Sequence, residues 1–114
     1  MDDKKNLHIL WTNTDLETTQ YMVMMYAVNS LLRGWWDSVT VVIWGGTARL
    51  AGENEIVRQR IEIAQAAGVK FEACIACARE LGVVEKLEEQ NIIVRGWGES
   101  LSNLLQNNEP LITI

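Results

Sequence analysis

The chain has 114 residues, a formal net charge of −5 and a sequence pI near 4.8. Apolar residues make up 48% and charged ones 22%, with a single proline. That composition excludes a disordered protein and fits one core-forming domain spanning residues 1–114. The acidic balance argues against nucleic acid and anionic membrane as partners, because phosphate binding is driven by Lys and Arg.

The start, MDDKKNLHIL, is charged and moves directly into a short apolar strand, without the apolar stretch and cleavage site of a leader. LHILWTN, residues 7–13, reads as that first strand, ending in a polar turn. Thr14 or Asp15 can then cap a long helix to about Arg33 by accepting from its free N–H groups. Its run YMVMMYAV is apolar most of the way round. It is too short, and too interrupted by Asn29 and Ser30, to span a bilayer. A soluble, cytoplasmic protein with no membrane span is the expectation.

SVTVVIWGG is a β-branched second strand stopped by Gly45 and Gly46. TARLAGENEIVRQRIEIAQAAG is mainly helix, with Val57, Ile61 and Ala64 in one stripe and Gly68 as its stop. VKFEAC alternates as a third strand. IACAREL and VVEKLEEQ are short helical pieces broken near Gly82. NIIVRGWG is a fourth strand, ESLSNLLQNN a helix, and PLITI a final strand whose proline is tolerable at its first position.

Repeated strand–helix units with near-continuous apolar strands predict an α/β fold. Three layers are expected, α/β/α, around a mainly parallel sheet of about five strands. In such sheets chemistry sits beyond the carboxyl ends of the strands. That edge collects Asn13 and Thr14, then Trp44, Gly45, Gly46 and Thr47, then Cys74 and Cys77, and finally Gly96 and Trp97 through Ser100. Cys74 and Cys77 are the only cysteines, spaced C-x-x-C. In a reducing cytosol they are expected as thiols. Cys74 stands at a helix start, where unpaired N–H groups favour a thiolate, the attacking form. Cys77, three residues on, faces the same side. The alternative is that both are small buried residues in the tight-packing run ACIACA.

The stretch CIACARELG, a strand-ending cysteine followed by small residues, a basic residue and a glycine, resembles the DsrE-like family. GVVEKLEEQNIIV and SLSNLLQNNEPLITI follow in matching order. That family includes the DsrE/DsrF and TusD-type proteins of sulfur relay. The resemblance runs over nearly the whole chain and implies a DsrE/F-like three-layer domain, commonly a trimer or hexamer. It implies that Cys74 accepts sulfane sulfur as a persulfide from a donor protein and passes it to an acceptor thiol, a sulfurtransferase-like role without a cofactor. Cys77 has no counterpart in the sulfur-carrier subunits. That leaves open a C-x-x-C dithiol oxidoreductase or redox sensor, and a third alternative is a non-catalytic ligand-binding or assembly module.

Other motifs carry less. Gly96-Trp97-Gly98 lacks the third glycine of a dinucleotide loop, since Leu101 stands there, and turn chemistry explains it. Gly45-Gly46-Thr47 lacks the lysine of a phosphate loop. His8, near the start of strand one and away from the cysteine edge, reads as a packed or surface residue. Two cysteines and one distant histidine do not make a zinc site within a subunit. Of five tryptophans, Trp35 and Trp36 read as subunit-interface material with the Met-rich helix, while Trp44 and Trp97 could wall the cysteine pocket.

Overall fold

The computed structural model describes residues 5–114; the first four, within the charged start, lie outside it. Five strands, β1 (Asn6–Trp11), β2 (Ser38–Ile43), β3 (Lys70–Cys74), β4 (Ile93–Arg95) and β5 (Leu111–Thr113), form one sheet in the order β4-β3-β2-β1-β5. Every pairing is parallel. Helices flank the sheet on both sides, as in a three-layer α/β/α fold. β2 is central and is buried from Val39 to Ile43, which is why its sequence is an unbroken β-branched run. The edge strands β4 and β5 have three residues each, shorter than the runs NIIVRGWG and PLITI suggest. An edge strand has one neighbour to pair with, so little holds its ends.

Pleating divides the side chains between two unequal faces. Leu7, Ile9 and Trp11 of β1, Val39, Val41 and Ile43 of β2, and Phe71 and Ala73 of β3 point into the main core. After the short exposed turn α1 (Leu16–Thr18), a π-helical segment (Thr19–Met24), α2 (Met25–Leu32), α3 (Thr47–Glu53), α4 (Glu55–Ala66), α5 (Ile75–Glu80) and α6 (Val84–Glu88) pack on them. The opposite face carries Leu10, Val42 and Cys74, covered by Trp97 and by Leu101 and Leu104 of α7 (Gly98–Gln106). Cys74 therefore belongs to the thin side of the molecule, under one tryptophan and one helix.

Two helical expectations are refined. The helix from residue 15 is capped as expected, Asp15 accepting from the Thr18 N–H at 2.9 Å, but its middle widens into the π segment, with Met25 N–H donating to Gln20 O five residues back. The stretch from Thr47 is two helices. Asn54 adopts an extended conformation and accepts from Val57 N–H at 3.0 Å, ending α3 and capping α4. No helix among the described residues is long and apolar enough to cross a membrane.

Candidate functional site at the strand ends

Trp44 leaves β2 and the chain turns at once through Gly45, whose φ of +72° is open to glycine at little cost. Thr47 locks this turn. Its hydroxyl accepts from Trp44 N–H at 3.2 Å and lies 2.9 Å from Trp11 O, tying the ends of β1 and β2 together from a fully buried position. The turn thereby aims the Gly45 N–H sideways, toward the end of β3. There it donates to Cys77 Sγ at 3.3 Å.

Cys74 closes β3 and is the N-cap of α5, but its side chain makes no capping hydrogen bond and α5 has only six residues. The hydrogen-bond donor at this site is thus a turn amide from β2, received by Cys77, and not the end of α5. Both cysteines are free thiols. Cys74 is 6% exposed and lies with Val42 and Trp97; Cys77, half-buried, packs against that cluster and against the main core. Burial pushes the Cys77 thiol above the ordinary value. The Gly45 N–H pulls it back in part, and the adjacent Cys74 thiol adds to the rise.

Beside Cys77 is an open depression of about 360 Å³, lined by Gly45, Gly46, Ala76, Cys77, Glu80 and Leu81. A larger hollow of about 550 Å³ lies between α4 and the end of α6, lined by Glu55, Arg58, Glu62, Glu89 and other polar residues. It holds no cysteine, whereas the smaller depression reaches Cys77.

Trp97, 2% exposed, is held over Cys74 by a polar clamp. Its indole N–H donates to Glu72 Oε1 at 3.1 Å, the same oxygen that accepts from Arg95 Nε at 2.6 Å. The Arg95 guanidinium sits 4.6 Å from the Trp97 ring centroid and reaches Ser100 Oγ at 2.7 Å. His8 lies against Trp97 as well, ring centroids 5.9 Å apart and the planes tilted by 60°. This links His8 to the site's cover, a neighbour that its place on strand one did not suggest.

Of the residues expected at this edge, Cys74, Cys77, Trp44, Gly45, Gly46 and Trp97 come together. Thr14 approaches only Gly46, its Cγ2 lying 3.1 Å from where a Cβ would stand. Asn13 faces elsewhere: its N–H, like that of Thr12, donates to Ile114 O beside β5, and its side chain accepts from Asp15 N–H. Gly96 is exposed, and its carbonyl accepts from Arg95. Leu101, the residue that breaks the dinucleotide pattern, packs against the Trp97 cluster. Glu72 and Arg95 were not singled out from the sequence. Their placement on adjacent strands, two register positions apart on the same face, is the signal, and it needs the pairing to be known.

No family model matches the chain, and no curated protein matches it. Among solved structures it is similar to a conserved protein of unknown function, BT1422 from Bacteroides thetaiotaomicron. The two are 34% identical over 96% of this chain and 95% of that one, with a TM-score of 0.94. It is also similar to the ychN protein from E. coli, at 14% identity over 96% of this chain and 98% of that one, with a TM-score of 0.64. That second likeness is one of fold.

Proposed function

Starting from the fact that the chain belongs to the same family as BT1422, we propose that it is a sulfur-relay protein which holds sulfane sulfur as a persulfide on its Cys74–Cys77 pair. The sulfur comes from a donor protein's persulfide and passes to an acceptor protein's thiol. The observation that carries this reading is the meeting of two free thiols at the carboxyl edge of a parallel sheet, one of them holding a backbone N–H donor. The same N–H that donates to a thiol sulfur can stabilise the negative charge of a persulfide. The DsrE-like fold and the resemblance of CIACARELG support the reading, and the resemblance points to Cys74 within the pair. Trp44 and Trp97 would keep water from a persulfide there. The chain would act from the cytoplasm without a cofactor.

Intact-mass measurement at early times after exposure to a persulfide donor should find one added sulfur on the wild-type chain and none on the variant with both cysteines changed to alanine. An equal gain on that double variant sinks the reading.

The closeness of the thiols favours a second reading, a dithiol oxidoreductase or redox sensor cycling between the pair and its disulfide. A reduction potential far outside the cytosolic range would remove it.

The same proposal includes self-association. Tyr21, Met22, Met25, Leu32 and Trp35 remain exposed along one side of the first helical stretch, with Ile63 of α4 beside them. Trp36 does not belong to that surface, since its indole N–H donates to Tyr26 OH at 3.1 Å and both rings pack on the core. Removing apolar area from water is worth roughly 25 cal/mol per Å², so association through this surface is expected, and the family resemblance points to a trimer or hexamer. Light scattering at micromolar concentration tests it, and a stable monomer of 12.9 kDa would refute it.

A further inference from the structure

The two thiols are not equivalent, and their order of exposure says which acts first. Cys74 is 6% exposed and shielded by Trp97 and Val42, whereas Cys77 lines the open depression and receives the Gly45 N–H. Resting on the sulfur-relay reading above, we infer that Cys77 receives the sulfane sulfur and that Cys74 resolves it, so that the chain releases sulfide as well as carrying persulfide.

The depression has the shape that such a step needs. Gly45 and Gly46 present backbone with no side chain, and Ala76 is small, so a persulfide can approach Cys77 from that side. Glu80 is the one charged residue among those lining it. An anionic donor is therefore met by one carboxylate at the rim of an otherwise apolar surface. Cys74 cannot be approached this way; its accessible neighbour is Cys77 itself.

The chemistry balances in three steps. The Cys77 thiolate attacks the outer sulfur of a persulfide R–S–SH. The bond between the two donor sulfurs breaks, R–S⁻ leaves, and Cys77 becomes Cys77–S–SH. The Cys74 thiolate then attacks Cys77 Sγ. The bond from Sγ to the outer sulfur breaks, that sulfur leaves as HS⁻, and a Cys74–Cys77 disulfide forms. The sulfane sulfur gains two electrons, and the two cysteine sulfurs lose one each. A low-molecular-weight dithiol then reduces the disulfide, its own two S–H groups becoming a disulfide while Cys74 and Cys77 regain their protons. A disulfide is compatible with C-x-x-C spacing at a strand-to-helix junction, where the two Cα atoms can lie about 5.5 Å apart.

The test uses the full chain, reduced and freed of reductant, with glutathione persulfide as the probe. Wild type should first gain one sulfur and then release about one sulfide per chain as its pair oxidises, its mass ending two hydrogens below the starting value. Cys74→Ala should retain one added sulfur and release no sulfide. Cys77→Ala should gain sulfur roughly tenfold or more slowly, because its remaining thiol is buried. Circular dichroism establishes that each variant is folded, and Cys74→Ser serves in place of Cys74→Ala if the latter is not. If Cys77→Ala gains sulfur at the wild-type rate while Cys74→Ala gains none, the assignment of roles is overturned and the carrier reading stands on Cys74. If wild type gains sulfur but never releases sulfide, the resolving step is overturned. If wild type neither gains sulfur nor releases sulfide, the carrier reading itself falls and this inference with it.

Discussion

The backbone N–H of Gly45 donates to the sulfur of Cys77 across 3.3 Å, joining the turn after β2 to the first turns of the helix after β3. Thirty-two positions separate the two residues in sequence. The contact exists because β2 and β3 are parallel neighbours whose carboxyl ends lie side by side, and because a positive φ at Gly45 swings its amide toward the next strand.

Gly45→Ala tests that geometry. Nothing lies within 4 Å of the added Cβ, so the cost is conformational and not steric. Holding an alanine in the left-handed region should destabilise the fold by about 1–2 kcal/mol. If the turn relaxes instead, the N–H moves off Cys77. Denaturant unfolding gives the stability, and alkylation of Cys77 gives the geometry. A variant unchanged in both would show that the turn does not depend on glycine.

Burial raises the Cys77 pKa, so in the folded chain the protonated thiol is favoured and the thiolate appears only at higher pH than in an unfolded one. Iodoacetamide reacts with the thiolate. Native Cys77 should therefore alkylate more slowly than in urea at the same pH, and its rate should still be climbing where the unfolded rate has levelled. The Gly45 N–H moderates the effect without reversing it. Peptide mapping after timed alkylation checks this, together with the expectation that Cys77 reacts before Cys74. Native rates matching or exceeding the unfolded ones would contradict it.

Trp97→Ala should cost about 3–5 kcal/mol, the usual loss for a large buried aromatic, and should open Cys74 to alkylation. Trp97→Phe keeps most of the cover but leaves Glu72 without its indole partner, so its cost should be smaller and Cys74 should stay protected. If Cys74 reacts equally slowly in the alanine variant, Trp97 is not its shield.

His8 supplies a pH dependence of stability. Burial lowers its pKa below the ordinary 6.5, with Glu72 and Glu109 opposing the shift and Arg95 adding to it. The folded chain thus prefers neutral histidine, while the unfolded chain takes up the proton more readily. Stability from this residue is fully present above the unfolded value and is lost as pH falls through the lower folded value. Between about pH 7.5 and about pH 5.5 the wild-type unfolding midpoint should fall more than that of His8→Gln. Equal slopes for the two would remove His8 as the source.

The strand–helix alternation and the parallel sheet were legible in residue order, while of the expected edge set Trp44, Gly45, Gly46, Cys74, Cys77 and Trp97 meet and Asn13 and Gly96 do not. What was legible rests on local pattern: the β-branched run Val39–Ile43 reads as a strand, and Asp15 and Gly45 sit where a cap and a turn require them. A long helix without visible interruption concealed the π segment, because a one-residue change in hydrogen-bond register leaves the apolar pattern intact. The two faces of the sheet were equally hidden. Alternation along VKFEAC separates Cys74 from Phe71 and Ala73, but it does not say that Cys74 lies on the face with only α7 above it. Glu72, Arg95 and His8 around Trp97 come from three different strands, and their meeting is decided by strand order and register. The sequence by itself determined where each strand ends, and with it which residues stand near the carboxyl edge of the sheet. Only the tertiary structure decided which thiol is covered and which is open, because exposure depends on what the rest of the chain places above a residue.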